Sequence, residues 1–211
     1  NPIACGMLKT PGACGADIAA GEGQPLGNAL NLGGPYLGLL SAKEAYTRKM
    51  PGRLVGMTND EEGRRVFCLT LQTREQHIRG AKATSNVCTN QGLMALRATM
   101  FMTTLGSDGI KEMATQSWHK AHYLAKEIAK LEGWEMKYNG DFFNECTFTC
   151  PCDVTKVVEF CKSRGVLPGV AAAGRRMQGL STGDELIIAV TEKRTKYEMD
   201  ALVALLSEVS A

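Results

Sequence analysis

Apolar positions are distributed in two ways along this chain, and the change falls before its middle. Up to about residue 72 they come in short runs between glycine and proline. "IACGML" (residues 3–8) and "ADIAAGE" (16–22) have the look of short buried strands. "RLVGMT" and "RRVFCLTLQ" flank "NDEEG", a pattern that predicts a β-hairpin with Gly63 where the turn or bulge needs positive φ. Helical periodicity then takes over. Thr73 and Gln76 stand at capping-box spacing before "REQHIRG". The strongly apolar run from Val87 to Leu105 predicts a buried helix that stops at Gly106, with Gly92 inside it. Ser107 or Asp108 is placed to cap a second helix, whose Ile110, Met113, Ser117, Ala121, Leu124, Ile128 and Leu131 recur at helical spacing until Gly133.

The remainder alternates. "WEMKY", "NECTFTC" and "ELIIAVT" read as strands. Asp153 caps a helix with Val154, Val157, Val158 and Cys161 on one face, and "TEKRT" (191–195) caps a closing amphipathic helix with Met199, Leu202, Val203 and Leu206 inward. This order predicts a small α+β domain with helices on one side of a largely antiparallel sheet. The expected organisation is therefore two parts, residues 1–106 and 107–211.

Composition narrows the class. The 211 residues are 44% apolar and 22% charged, with a formal net charge of +2, as in ordinary globular proteins. No basic block points to nucleic acid. No apolar run approaches the roughly 18 residues of a membrane-spanning helix. The start "NPIACGMLKTPG" has neither the charged opening nor the apolar middle of a secretion signal, so the expected setting is the cytoplasm. The chain begins at Asn1-Pro2 without methionine, as a processed chain or an excised fragment would. Eight cysteines stand at 5, 14, 68, 88, 146, 150, 152 and 161, within apolar runs, which favours reduced, mostly buried thiols over a disulfide framework. Cys146, Cys150, Cys152 and Cys161 lack the paired spacing of a zinc site.

Candidate chemistry begins with "GEGQPLGNALNLGGPYLG" (21–38), which holds six glycines and no lysine. It matches neither a Walker loop nor a dinucleotide fingerprint, because its third glycine falls one place late. Gly33, Gly34 and Tyr36 combine close backbone approach with a hydroxyl, though a structural turn explains them as well. "KATSNVCTNQ" (82–91) either caps the following helix or holds an anion at its N-terminus. His119 and His122 share a helix face, with solvation the simpler reading. Asn144 and Glu145 interrupt an apolar strand, so Asn144 is satisfied within the protein or faces a ligand.

Taken together and in order, "GEGQPLG", "GGPYLG", "RKMPGRLVG", "LTLQTREQHIR", "KATSNVCTNQ", "FFNE" and "VTEKRTK" resemble the P-protein of the glycine cleavage system, glycine dehydrogenase (decarboxylating), in its two-subunit bacterial form. The resemblance is to subunit 1 (alpha) and runs across nearly the whole chain. Alpha subunits are about twice this long, so the resemblance implies a C-terminal half. It implies an α/β, type I pyridoxal-phosphate-dependent transferase fold: residues 1–106 as the end of the large domain and 107–211 as the small α+β C-terminal domain. It also implies a reaction in which glycine loses carbon dioxide on pyridoxal phosphate and the aminomethyl group passes to lipoylated H-protein.

By that resemblance the Schiff-base lysine belongs to the beta subunit, which holds the cofactor covalently. Here Gln24-Pro25 stands where the related lysine would be, and neither residue forms a Schiff base. Gly33, Gly34 and Tyr36 are then expected near the partner's cofactor, and Asn144 facing the substrate glycine. The expected partners are the beta subunit and H-protein, and a half-chain is expected to self-associate. The alternative is a catalytically inactive pyridoxal-phosphate-fold module with a structural or regulatory role. One departure from the family pattern is Gly80-Ala81 after "REQHIR", where Arg-Glu is usual.

Overall fold

The structure is a computed structural model and describes residues 1–71, 76–83, 91–172 and 183–209. The chain separates into two compact units, Asn1–Gly106 and Ser107–Ala211.

The first unit is built from short elements. Pro2–Gly6 is a 3-10 turn capped by Asn1, whose carboxamide oxygen accepts from the Ile3 N–H at 3.0 Å. The strand expected at "IACGML" is therefore absent: proline at the first position suits a helical start, and the side-chain cap holds it. Strand β1 (Ile18–Glu22) pairs antiparallel with β2 (Gly38–Ala42), Ile18 opposite Ala42 and Glu22 opposite Gly38. The hairpin read around "NDEEG" is present as β3 (Leu54–Asn59) and β4 (Arg65–Thr70), with Gly63 at φ 77°. Asp60 closes its turn by accepting from the Glu62 and Arg64 N–H groups at 3.0 and 2.8 Å. These bonds, with the Arg64 guanidinium at 2.9 Å, hold its carboxyl below the usual carboxylate range.

Two expectations for this unit are corrected. β1, read as a buried strand, is largely exposed, as is its partner β2. The following helix, α2, begins at Gly92, and its Leu93, Leu96 and Met100 are exposed. Among the described residues only Ile3, Leu26 and Ala98 are buried apolar side chains in this unit. So few cannot offset the backbone entropy of ordering about a hundred residues. A short helix α1 (Gln76–Arg79) precedes α2 and gives way at Gly80, φ 58°, to a 3-10 turn. The substitution noted in "REQHIRGA" thus coincides with a helix end. Thr73 of the predicted capping box lies outside the described residues.

Helix α2 (Gly92–Ile128) is interrupted at Gly106, whose φ of 64° and ψ of −173° are not helical. The second unit has a real core. Strands β5 (Glu135–Met136), β6 (Glu145–Thr149), β7 (Val170–Ala171) and β8 (Glu185–Ala189) form one sheet in the order β5-β6-β8-β7, every pair antiparallel. Cys146 and Phe148 of β6, with Leu186 and Ile188 of β8, alternate onto one face. Ala121, Leu124 and Ile128 of α2 belong to the same core. So do Val154, Val157 and Cys161 of α3 (Val154–Ser163), and Met199, Leu202 and Leu206 of α4 (Lys196–Val209). This is the helices-on-one-face arrangement the pattern predicted.

The caps also match. Asp153 Oδ1 accepts from the Thr155 N–H at 2.7 Å, which holds its pKa below the ordinary value. Thr195 Oγ1 accepts from the Glu198 N–H at 3.2 Å while Glu198 accepts from the Thr195 N–H at 2.8 Å, a reciprocal capping box. The loop before it is tied to α2: Ser117 Oγ accepts from the Glu192 N–H at 3.1 Å, and Lys120 Nζ donates to the Glu192 carbonyl. Buried Glu185 meets Lys137 Nζ and the Gly183 N–H, which satisfies a carboxylate that burial alone would penalise.

Candidate functional site

The glycine-rich loop runs between β1 and β2 and is closed at its mouth by one side chain. Glu22, the last residue of β1, accepts through Oε1 from the Gln24 N–H at 3.0 Å and from the Leu37 N–H at 2.9 Å. Charge-assisted bonds of this kind are stronger than neutral ones. Beside them the Gly23 N–H donates to the Leu37 carbonyl at 2.6 Å. A Cβ at residue 23 would lie 2.9 Å from the Leu37 side chain, so the two strands of the mouth meet closely.

Farther out, Gln24 Nε2 donates to the Asn28 carbonyl at 2.6 Å, and Arg97 Nε donates from α2 to the Gly27 carbonyl at 2.7 Å. Gly27 sits at φ 80° with Phe101 against it: an added Cβ would be 2.6 Å from that ring. Glycine is required there on both counts.

The tip is organised around Asn31. Its N–H donates to the Tyr36 hydroxyl at 2.9 Å, its carbonyl accepts from the Gly34 N–H at 2.6 Å, and its Nδ2 donates to the Pro35 carbonyl at 3.3 Å. Gly33 has φ 99°, and a Cβ at Gly34 would meet the Asn31 carboxamide at 2.5 Å. The structure thus brings Gly33, Gly34 and Tyr36 into one turn. The Tyr36 oxygen is an acceptor in that turn, and its own proton remains available to a further group. Leu30 and Leu32 point outward, 77% and 96% exposed, with Leu32 in the left-handed region at φ 41°.

Asn144 lies in the second unit, at the start of β6. Its backbone carbonyl accepts from the Val190 N–H at 2.9 Å and its Nδ2 donates to the Val190 carbonyl at 3.2 Å. The carboxamide therefore extends the β6–β8 ladder by one rung, and the side chain is 9% exposed.

Four participants were not singled out by sequence reasoning: Glu22, Asn28, Asn31 and Arg97. Glu22 had a legible signal, a carboxylate between two glycines at a strand end. Asn28 is 5% exposed, and neither Nδ2 nor Oδ1 has a hydrogen-bond partner among the described residues. Burying a carboxamide without hydrogen bonds is costly.

Residues 84–90 of "KATSNVCTNQ" lie outside the described residues. His122 is engaged within its own unit, with Nδ1 2.8 Å from the Trp118 carbonyl and its ring stacked on Phe142 at 4.1 Å, while His119 is exposed. The cysteines divide by unit. Cys5, Cys14 and Cys68 are exposed, against expectation, because the first unit has too little core to cover them. Cys146, Cys150 and Cys161 are buried, and desolvation pushes the thiols of Cys146 and Cys150 up to about 11 and about 12.

A carbonyl cofactor held as a Schiff base needs an amine, and this loop has none. Gln24 occupies the mouth with its side chain engaged on the Asn28 carbonyl. The residues present therefore do not fit covalent attachment of pyridoxal phosphate. They fit a preformed turn that offers one hydroxyl.

Comparison with known proteins defines the class first. The fold is mixed α/β and is shared with distantly related solved structures. A NifS-like protein from Rickettsia africae superposes with a TM-score of 0.59 at 13% identity, covering 96% of this chain and 50% of that one. Such a distant likeness shows the fold alone.

The family is shown by nearer matches. The family model described as "Glycine cleavage system P-protein" matches residues 1–206. "Probable glycine dehydrogenase (decarboxylating) subunit 1" of Prosthecochloris aestuarii is 50% identical over 210 residues, which is 100% of this chain and 46% of that protein. A crystal structure titled "glycine decarboxylase (P-protein) of the glycine cleavage system, in inhibitor-bound form" matches with a TM-score of 0.89 and 42% identity, covering 99% of this chain and 47% of that one. The chain belongs to the glycine cleavage system P-protein family. It spans about half the length of the curated relatives it matches.

Proposed function

We propose that the chain is the C-terminal portion of the first (alpha) subunit of a two-subunit glycine dehydrogenase (decarboxylating). On this reading it acts with a second (beta) subunit, in the cytoplasm, to decarboxylate glycine and pass the aminomethyl group to lipoylated H-protein. Pyridoxal phosphate supplies the electron sink when bound, and the beta subunit's lysine holds it. Residues 1–106 are then part of the large domain and residues 107–211 the small domain.

The observation that supports this division of labour is the loop of residues 22–37. It is preorganised by Glu22, Arg97 and Asn31 yet carries no amine. Such a loop positions and does not attack. Gly33 and Gly34 let the backbone approach the partner's cofactor, and the Tyr36 hydroxyl donates its free proton to an acceptor there. Asn144 is assigned to the substrate glycine, in addition to its bond to Val190.

The test is glycine–bicarbonate exchange. The chain is mixed with beta subunit, pyridoxal phosphate, carboxyl-labelled glycine, bicarbonate and H-protein, with full-length alpha subunit as the positive control. Label is expected to enter bicarbonate with full-length alpha and to fall at least tenfold when Tyr36→Phe is introduced into it. Unchanged exchange in Tyr36→Phe would remove that residue from the site. No exchange with either subunit preparation would overturn the reading as a whole.

A further inference from the structure

The rung between Asn144 and Val190 is gripped from both sides by one stretch of α2. On the Val190 side the chain runs on to Glu192. Its N–H donates to the buried Ser117 hydroxyl at 3.1 Å, and its carbonyl accepts from Lys120 Nζ. On the Asn144 side the contact is aromatic. Phe142 stands shortly before Asn144, in a segment without regular structure that leads into β6. Its ring lies flat against His122, with centroids 4.1 Å apart and planes within 3° of parallel. The His122 ring also meets Trp118, one helical turn back, at 4.1 Å and 33°.

The imidazole is itself fixed. Its Nδ1 lies 2.8 Å from the Trp118 carbonyl. A carbonyl only accepts, so the neutral ring carries its proton on Nδ1. That bond sets the plane of the imidazole, and the imidazole gives Phe142 a flat face to register on. Filling the interior does not call for this residue: Ala121, Leu124 and Ile128 supply the core face of the helix, and His122 is half-buried beside them.

We propose that His122 is a positioning residue for Asn144. Its ring, locked by the Trp118 carbonyl, fixes Phe142 and through it the angle at which Asn144 is presented. Ser117 and Lys120 hold the Val190 end of the same rung. This role rests on the reading that Asn144 meets the substrate glycine, and it adds the group that aims it. A substrate-facing side chain works only when its own placement is held by such neighbours, and small misplacements weaken binding without unfolding the domain.

Two variants of the full-length subunit separate aiming from packing. His122→Leu keeps apolar bulk but has neither the flat ring nor the Nδ1 donor, whereas His122→Phe keeps a flat ring. In the complex with beta subunit, pyridoxal phosphate and H-protein, His122→Leu is expected to raise the Michaelis constant for glycine about fivefold and to leave kcat within about twofold. His122→Phe should restore most of that loss. Hydrogen exchange at the Val190 amide, which donates to the Asn144 carbonyl, reads the rung without catalysis. It should rise about tenfold in His122→Leu and return toward normal in His122→Phe. Should His122→Leu fail to fold, Phe142→Leu removes the stack from its other side and is expected to act the same way. Unchanged Val190 exchange would overturn the proposal, as would a His122→Phe subunit no better than His122→Leu. So would a normal Michaelis constant in His122→Leu where Asn144→Ala raises it. A normal constant in Asn144→Ala counts against the substrate reading alone, and the rise in Val190 exchange then still assigns His122 to the rung.

Discussion

Glu22 ties both ends of the glycine-rich loop with a single oxygen, so its removal should open the mouth while leaving the tip's own bonds in place. In full-length subunit, Glu22→Ala is expected to raise hydrogen exchange at the Gln24 and Leu37 amides about tenfold. Glu22→Gln, which keeps an acceptor oxygen, should recover most of that protection. Equal exchange in all three forms would show that the mouth is held otherwise. Asn144→Ala removes one buried hydrogen bond to the Val190 carbonyl and should cost the second unit about 1 kcal/mol. In the assembled enzyme it should also raise the Michaelis constant for glycine, and a normal constant would leave Asn144 a purely structural rung. The thiols give a pH test. Burial raises Cys146 and Cys150 to about 11 and about 12, above their unfolded value near 9. Their contribution is fully present below that unfolded value, because the native state keeps protons that the unfolded chain would lose as pH rises. Stability of the second unit should therefore fall between about pH 9 and pH 12, by about 2 kcal/mol for each thiol by pH 11. Denaturant midpoints measured across that range, falling less in a Cys146→Ala, Cys150→Ala variant that keeps only the buried Cys161 thiol, would check it.

At the scale of elements, periodicity succeeded where a core exists to enforce it. The α2 face at Ala121, Leu124 and Ile128, the inward alternation of β6 and β8, and the caps at Asp153 and Thr195 were all legible, since burial makes each pattern obligatory. Where the core is missing, apolar runs misled: "IACGML" is a 3-10 turn, and the run from Val87 reads as buried but shows Leu93, Leu96 and Met100 exposed. Of the candidate site, the turn at Gly33, Gly34 and Tyr36 could be found from composition. The reach of Glu22 to Leu37 and the tether from Arg97 could not, because they join residues far apart in sequence, and the Asn31 hub follows no spacing that names its partners in advance. The β3–β4 hairpin carries a cross-strand apolar strip, Val55 opposite Leu69 and Met57 opposite Phe67, all four exposed. We expect the 211-residue chain to self-associate partly through it, and Phe67→Asp to shift its sedimentation profile toward smaller species. An unchanged profile would clear the hairpin of that role.

For the whole molecule the central fact is the unequal distribution of core, three buried apolar side chains in residues 1–106 against nineteen in the second unit, among the described residues. Brief proteolysis should remove the first unit and leave a resistant piece beginning close to Ser107, seen by mass spectrometry. Equal survival of both units would mean that the first has support not visible in its own packing. The same inequality bears on how variants of this chain are judged. A heating curve reports cooperative loss of packed core, and nearly all of that core lies in one unit. A mutational survey scored by melting temperature would therefore register damage at Phe148 or Leu186 and pass Glu22, Gly27 or Tyr36 as neutral. The residues that shape the glycine-rich loop, and Tyr36 that is proposed to meet the cofactor from it, are the ones such a survey is blind to, until the rest of the subunit is present to make their loss count.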